Sequence, residues 1–263
     1  MAMKKVFGLT LAIILTMALM SAAGAEMIVK QIPVNYTVED GLVVEAANCI
    51  ISNSPDSKYL GNDISFDLSW VVRNETGKRI MLKMDGDSYA QVIDSAGNVI
   101  YQSKMLSYGS SVIEDGQTAF GGGAVLSGLR ATIGEDVASF DDIASVNINV
   151  TYWEGNSVIP MDHYYRERQE ISAVFSKSDN KITVTLPNET SDDLQDWGME
   201  LALYDTEGQL IDVVAGGYSV RITNSGEGGF VGTVDPSNTA TIWMKENGIK
   251  IGEVRANAWK DAE

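Results

Sequence analysis

The sequence has few of the residues that usually form cross-links or metal sites. Among its 263 residues there is one cysteine, Cys49, and one histidine, His163. A single cysteine cannot close an intrachain disulfide, so the fold must be stabilised by its apolar core. A single histidine excludes a chain-internal pair of imidazole ligands for zinc. We expect Cys49 to be a buried, inert thiol, with an intermolecular disulfide as the alternative.

Basic residues are also scarce. The chain has 19 Lys and Arg against 36 Asp and Glu, which gives a formal net charge of -17. Nucleic acid and anionic membranes are therefore disfavoured as partners, because both require a basic patch that neutralises phosphates. Basic proteins, divalent cations and neutral glycans remain possible partners. Gly121–Gly123 lacks the Lys-Ser/Thr of a phosphate-binding loop, so no nucleotide cofactor is predicted.

The acidic residues do not single out a catalytic or metal site. Asp85-Gly86-Asp87 and Asp141-Asp142 could offer oxygen ligands to calcium, but neither has EF-hand spacing, so roles in turns are favoured. A glycosidase needs two carboxylates roughly 5 to 10 Å apart, and the sequence alone identifies no such pair. His163 is not accompanied by a Gly-x-Ser-x-Gly nucleophile motif. We therefore expect a protein that is not an enzyme and that has no cofactor and no metal ligands.

Residues 1–25 have the pattern of a secretory signal peptide. Lys4 and Lys5 precede an apolar run from Val6 to Met20, and Ala23-Gly24-Ala25 offers the small residues of a cleavage site. A retained membrane anchor is the alternative, but the run is shorter than the roughly 20 residues that a spanning helix needs. The pattern predicts cleavage before Glu26, a secreted or extracytoplasmic location, and no membrane insertion after cleavage.

A turn-centred unit occurs twice in the chain. Each copy has an Asp-x-x-Gly turn between apolar pairs, Asp94–Gly97 in the first and Asp205–Gly208 in the second. Asp can accept hydrogen bonds from the backbone that follows it, and Gly allows the positive φ that ends a tight turn, so both predict β-hairpins. The surroundings repeat as well, as matching pairs of residues: Asn74 and Asn188, Gly116 and Gly226, Phe120 and Phe230. We interpret the chain as two copies of one β-module.

Other patterns predict individual elements. Apolar residues alternate with mostly polar ones from Ile64 to Arg73, which predicts a strand with one buried and one solvent-exposed face. The three-residue spacing of Val137, Phe140 and Ile143 predicts a short helix or helical turn. Asn247-Gly248 predicts a hairpin between strands at 239–244 and 249–256. About seven short strands per module favour an all-β protein of two antiparallel sandwiches, with a small barrel as the alternative for either module.

The polar stretch from Pro160 to Gln169 marks a boundary between the modules. We expect β-sandwich domain 1 at residues 26–160, a linker at 161–169 and β-sandwich domain 2 at 170–263. The order of strand, Asn-rich turn, Asp-x-x-Gly hairpin and Gly turn before an aromatic, behind a Lys-Lys leader, resembles bacterial secreted immunoglobulin-like domains of the telokin-like type. The resemblance covers most of residues 34–255. It implies tandem immunoglobulin-like sandwiches without an assigned catalytic residue, although the Cys/Trp/Cys spacing of true immunoglobulin domains is absent.

Trp153 and Trp243 are the candidate ligand-binding residues. Each is predicted at the end of the penultimate strand of its module, with the opposite parity to the expected core residues. Exposed rings would form a platform for a sugar or a partner side chain, whereas the alternative is packing against another sheet or module. We expect an exported, non-enzymatic binding or structural module of the bacterial cell envelope or extracellular space. The alternative function is a carbohydrate-binding or glycan-hydrolysing accessory protein that uses exposed Trp and acidic residues.

Overall fold

The computed structural model describes residues 27–54, 63–84, 86–103, 106, 108, 111–123, 138–154, 166–171, 173–215, 217–222 and 226–261. These residues form β-strands with one α-helix, which confirms an all-β fold class. The strands of the first half are β1 (Ile28–Ile32), β2 (Val34–Val38), β3 (Leu42–Ser54), β4 (Asp63–Asn74), β5 (Ile80–Leu82), β6 (Tyr89–Asp94), β7 (Val99–Ser103), β8 (Val112–Ile113), β9 (Thr118–Gly123), β10 (Ile143–Val150) and β11 (Tyr152–Glu154). The elements of the second half are β12 (Arg166–Ile171), β13 (Ala173–Ser176), β14 (Lys181–Leu186), β15 (Trp197–Asp205), β16 (Leu210–Ala215), β17 (Gly217–Ile222), β18 (Gly228–Thr233), α1 (Asn238–Asn247) and β19 (Ile251–Asp261).

The first half has two layers of sheet around one core. One layer has the strand order β1-β3-β4-β9, and the other contains β2-β10-β6-β7 and the small sheet β11-β5-β8. Alternate side chains of β4, among them Leu68 and Trp70, share this core with Val146 and Ile148 of β10. All pairs are antiparallel except β2 and β10, which are parallel. The expectation of a purely antiparallel arrangement was therefore wrong at this edge, where the chain crosses from β1 to β2 at Pro33.

The second half has the sheets β12-β19-β15-β16 and β13-β14-β18-β17. Its core includes Ile182 of β14, Leu203 of β15 and Phe230 of β18, together with Ala240 and Trp243 of α1. The helix therefore closes the core of this half with its buried side.

The two halves repeat a strand order as well as a sequence pattern. Three strands run β3-β4-β9 in the first half and β13-β14-β18 in the second, and the facing sheets contain β10-β6-β7 and β19-β15-β16. The predicted hairpins are confirmed between β6 and β7 and between β15 and β16. In the first, Asp94 Oδ1 accepts the backbone N–H groups of Ala96 and Asn98 at 2.9 and 2.7 Å. In the second, Asp205 Oδ1 accepts those of Glu207 and Gln209 at 2.8 and 2.9 Å.

Two consecutive strands pair with each other in each half. β3 and β4 pair along their length, and β13 and β14 do the same. The two halves share this feature.

The strand predicted at 239–244 and the hairpin predicted at Asn247-Gly248 were wrong, because this stretch is α1. The Ser237 hydroxyl caps the helix by accepting the backbone N–H of Ala240 at 3.0 Å. Gly248 ends it with a φ of +67°, and its N–H donates to Met244 O. The same Gly that favours a hairpin turn is also the preferred residue after a helix. Ser237 caps the helix eleven residues before Gly248, and together these two helix-terminating residues explain why the stretch is a helix.

The remaining predictions concern the linker, the helical turn and the leader. Arg166 to Gln169, expected in the linker, belong to β12 and pair with β19. A 3₁₀ turn at Phe140–Asp142 agrees with the predicted helical turn. The signal peptide, Asp85, Val137, His163 and linker residues 161–165 lie outside the described residues. In the part of the chain that is described, no helix is both long and apolar enough to cross a membrane.

The face of β4 that we expected to be exposed to solvent is largely covered by the second half of the chain. Ser69 and Val71 lie on this face and are each 1% exposed. Val71 and Phe120 pack with Tyr204, Leu210 and Val213 of the second half in one apolar cluster. We call this contact between the sheet β1-β3-β4-β9 and the second half the seam. The period-two pattern in β4 predicted the strand correctly, but it could not distinguish solvent from a second packed layer.

Candidate functional site

Trp153 lies on β11 opposite Met81 of β5. Its ring is half-buried and packs against Met81 and Val112. The Lys83 ammonium lies 5.8 Å from the ring centroid. One part of the indole is therefore used for packing, and the remainder is the only part that a ligand could contact.

Trp243 lies on α1, not at the end of a strand, so the two tryptophans do not occupy matching places. Its side chain is 8% exposed and belongs to the core of the second half. A ring in this position stabilises the helix against the sheets. The structure therefore does not bring Trp153 and Trp243 together as one aromatic surface, and Trp243 presents no open ring face.

Two carboxylates from different halves meet at the seam. The Ser237 hydroxyl donates a hydrogen bond to Asp67 Oδ2 of β4. The backbone N–H of the same serine donates to Asp212 Oδ2 of β16 at 2.9 Å. Asp212 Oδ1 accepts two hydrogen bonds, one from the Ser69 hydroxyl at 3.1 Å and one from the backbone N–H of Val213 at 2.8 Å. The N-cap of α1 thus links an acid of the first half to an acid of the second.

Burial disfavours ionisation of both acids. The pKa of Asp212 is raised to about 7, first by desolvation and then by the nearby Asp67 charge, against hydrogen bonds that lower it. Desolvation also raises the pKa of Asp67, opposed by the hydrogen bond from Ser237. Asp212 is 1% exposed, so a polymeric substrate has no access to its carboxyl group. Asp212 therefore holds the seam and is not placed for acid–base catalysis on a bound glycan.

Further polar contacts cross the seam. Asn48 Nδ2 of β3 donates to Ile211 O at 2.8 Å, and Asn257 Nδ2 of β19 donates to Thr118 O at 3.2 Å. Both asparagines are buried, at 3% and 6% exposure. Buried polar groups are costly without partners, and the side-chain N–H₂ of each asparagine finds an acceptor in the opposite half. The matched pairs indicate that the two halves fold against each other in one defined position.

The candidate cation ligands serve other purposes in the described residues. Asp142 Oδ2 accepts the Ser139 hydroxyl at 2.9 Å at the start of the 3₁₀ turn. Asp87 forms an ion pair with Lys83 at 3.0 Å. No group of three or more His, Cys, Asp or Glu side chains suited to a metal ion occurs in the part of the chain that the structure describes. Cys49 is fully buried, as expected, and burial raises the pKa of its thiol.

The first half presents a broad uncharged face that the sequence did not reveal. It is the outer side of the sheet β2-β10-β6-β7, which faces away from the core. Its side chains are exposed or half-buried, none is charged, and half of them are carboxamides: Asn35, Thr37, Tyr89, Gln91, Ile93, Val99, Gln102, Ser145, Asn147 and Asn149. The alternation Asn147-Ile148-Asn149 was visible in the sequence. The neighbours from β2, β6 and β7 become apparent only from the register.

A row of four carboxamides crosses this face from strand to strand. We call Asn35, Asn147, Gln91 and Gln102 the amide row. Asn147 lies opposite Asn35 on one side and Gln91 on the other, and Gln91 lies opposite Gln102. Asn35 Nδ2 donates to Asn147 Oδ1, and Gln91 Nε2 donates to Gln102 Oε1, both at 2.9 Å. These bonds fix the orientation of each amide on the sheet.

Comparisons of the chain with protein-family models, curated proteins and solved structures found no match.

Proposed function

We propose that this protein is an exported, non-enzymatic binding module of the bacterial cell envelope or extracellular space. In this proposal its two halves are tandem β-sandwiches of the immunoglobulin-like kind that act as one rigid body. Many sandwich domains share that architecture without sharing its exact strand connectivity. The leader pattern in residues 1–25 supports export.

The seam is the observation that carries the proposal. Flexible tandem domains meet through small, polar contacts, whereas here an apolar cluster and buried hydrogen bonds join the halves. Fixed relative orientation is useful to a protein that holds a ligand or a neighbour in place. The same seam buries Asp212, so we assign this acid a structural role and no part in glycan hydrolysis.

Two measurements test the proposal. Fractionation of the producing bacterium should find the mature chain, with an N-terminus at Glu26, outside the cytoplasm. ¹⁵N relaxation of the purified protein should give one rotational correlation time for both halves. A cytoplasmic chain that retains residues 1–25 would contradict export, and two independent correlation times would contradict a rigid body.

A further inference from the structure

The amide row leaves an alternating set of hydrogen-bonding groups directed at solvent. Asn35 and Gln91 each use a side-chain N–H within the row and keep their carbonyl oxygen free. Asn147 and Gln102 each use the oxygen and keep their N–H₂ donors free. Each carboxamide has two donor hydrogens and two acceptor lone pairs. Across the four strands, which are spaced at about 4.8 Å, the group that takes no part in the row is therefore in turn a carbonyl, an N–H₂, a carbonyl and an N–H₂.

This order is complementary to a polyhydroxylated ligand. A hydroxyl group both donates and accepts one or more hydrogen bonds, so a chain of vicinal hydroxyls can satisfy either partner at each position. Tyr89 is half-buried and lies opposite Asn149 on the face that carries the amide row. Amphipathic rings of this kind suit a surface that is partly apolar and partly hydroxylated.

The charge distribution restricts the kind of partner. The chain carries a formal charge of -17, so an anionic polymer is repelled by the protein as a whole. A cationic partner is attracted to carboxylates, and the amide-rich face has none. The core of a protein–protein interface is enriched in aromatic residues, Met and Arg, whereas this face has one aromatic residue, Tyr89, and half of its side chains are carboxamides. An uncharged, hydroxyl-rich polymer is not repelled by the net charge, needs no carboxylates and can pair with carboxamides.

We propose that the amide row and the uncharged face around it bind a neutral polysaccharide. This inference rests on the proposed binding function and specifies its ligand class. The chain of sugars lies across the strands, with hydroxyl groups paired to the amide row and with Tyr89 against a sugar face. The seam lies on the opposite sheet of the first half, so the bound polymer and the second half do not compete for the same surface.

The test uses purified protein with uncharged polysaccharides: galactomannan, xyloglucan, mixed-linkage glucan and dextran. Polygalacturonate and chitosan serve as anionic and cationic comparators. Affinity electrophoresis gives the dissociation constant, and ¹⁵N NMR of the side-chain amides locates the contact on the wild-type chain without any substitution. The variants Gln91→Glu and Asn147→Asp place a carboxylate in the row with almost unchanged shape. Gln209→Glu makes the same change on the exposed hairpin of the second half and is the matched control.

Binding of at least one neutral polysaccharide is expected, with shifted side-chain amide signals of the row. Both row variants should bind at least tenfold more weakly, while Gln209→Glu should bind like the wild type. No binding to any neutral polysaccharide at millimolar sugar would overturn the inference. Glycan binding that shifts signals elsewhere, or that Gln91→Glu leaves unchanged, would also overturn it. Neither result bears on export or on the rigid seam, so failure here is distinct from failure of the proposed function.

Discussion

Asp67 and Asp212 come from different halves of the chain and are both bound by Ser237, one through its hydroxyl and the other through its backbone N–H. In the described residues, neither carboxylate forms an ion pair with Lys or Arg. Two neighbouring buried acids without a cation cannot both ionise at little cost, so they titrate as a pair. The serine that caps α1 thus couples the protonation of this pair to the packing of the helix and the two halves.

The free energy of unfolding should fall as the pH rises from about 4 to about 8. The folded state retains a proton on the pair up to pH about 7, the raised pKa of Asp212. The unfolded chain releases it near the ordinary carboxyl pKa of about 4. The folded state therefore binds more protons in this window, and its stability decreases with pH, on the order of 3 kcal/mol in total. Thermal unfolding at closely spaced pH values measures this slope.

Below pH about 4, surface acids change the free energy of unfolding in the opposite direction, so that it rises with pH. Hydrogen bonds from Asn98 hold the pKa of Asp94 below its usual value, and hydrogen bonds from Thr190 do the same for Asp193. Their contribution is present above the unfolded pKa and is lost as the pH falls through the folded pKa. Maximum stability is therefore expected near pH 4 to 5. A stability maximum above pH 7 would be incompatible with the assigned role of Asp67 and Asp212.

Asp67→Asn should stabilise the protein at pH 8 by up to about 2 kcal/mol and reduce the slope between pH 5 and 8. It removes the Asp67 charge that raises the pKa of Asp212, while desolvation, the larger cause, remains. The amide oxygen can still accept the Ser237 hydroxyl, and Asp212 keeps its three hydrogen bonds without a neighbouring charge. Asp141→Asn is the control, because it removes the same charge from an exposed residue of the 3₁₀ turn. Chemical denaturation of the three proteins at pH 5 and pH 8 gives the comparison. Equal slopes for wild type and Asp67→Asn would remove the pair as the cause.

Local turn chemistry explains which parts of the fold could be predicted. The two Asp-x-x-Gly hairpins depend on bonds within five residues, so their sequence specified them fully. The alternation of buried and outward-facing side chains along β4 was also predictable, because it too depends on neighbouring residues. The covering of its outer face was not, because Ser69 is satisfied by Asp212, which is far away in the chain. Ser and Asp in a strand look like solvent-facing residues whether their partner is water or a buried carboxylate.

The candidate site could not be predicted fully either, because it too depends on contacts between distant parts of the chain. Trp153 and Trp243 seemed equivalent because both follow an apolar alternation, but Gly248 ends a helix and Trp243 belongs to that helix. The amide row depends on the register of four strands, two of which are joined in parallel. Single residues such as Asn35 and Gln102 do not indicate in the sequence that they belong to a row. Long-range pairing, which the sequence pattern does not encode locally, creates the row.

Cys49 should not react with a thiol reagent such as DTNB at pH 8 in the native protein. Its side chain is 0% exposed, and burial raises the pKa of the thiol, so neither access nor thiolate is available. In denaturant the same cysteine should react within the time expected of a free thiol. Stoichiometric labelling without unfolding would contradict the burial of β3 between two layers.

The two tryptophans should respond differently to truncation. Trp243→Ala removes a core ring beneath α1 and should destabilise the protein by about 3 to 5 kcal/mol. Trp153→Ala should cost less, about 1 to 2 kcal/mol, because its half-buried ring packs only against Met81 and Val112 in its cluster. Urea unfolding followed by circular dichroism compares both variants with the wild type. If Trp243→Ala were as stable as the wild type and lost ligand binding instead, the ring would be a binding platform and its burial in the core would be wrong.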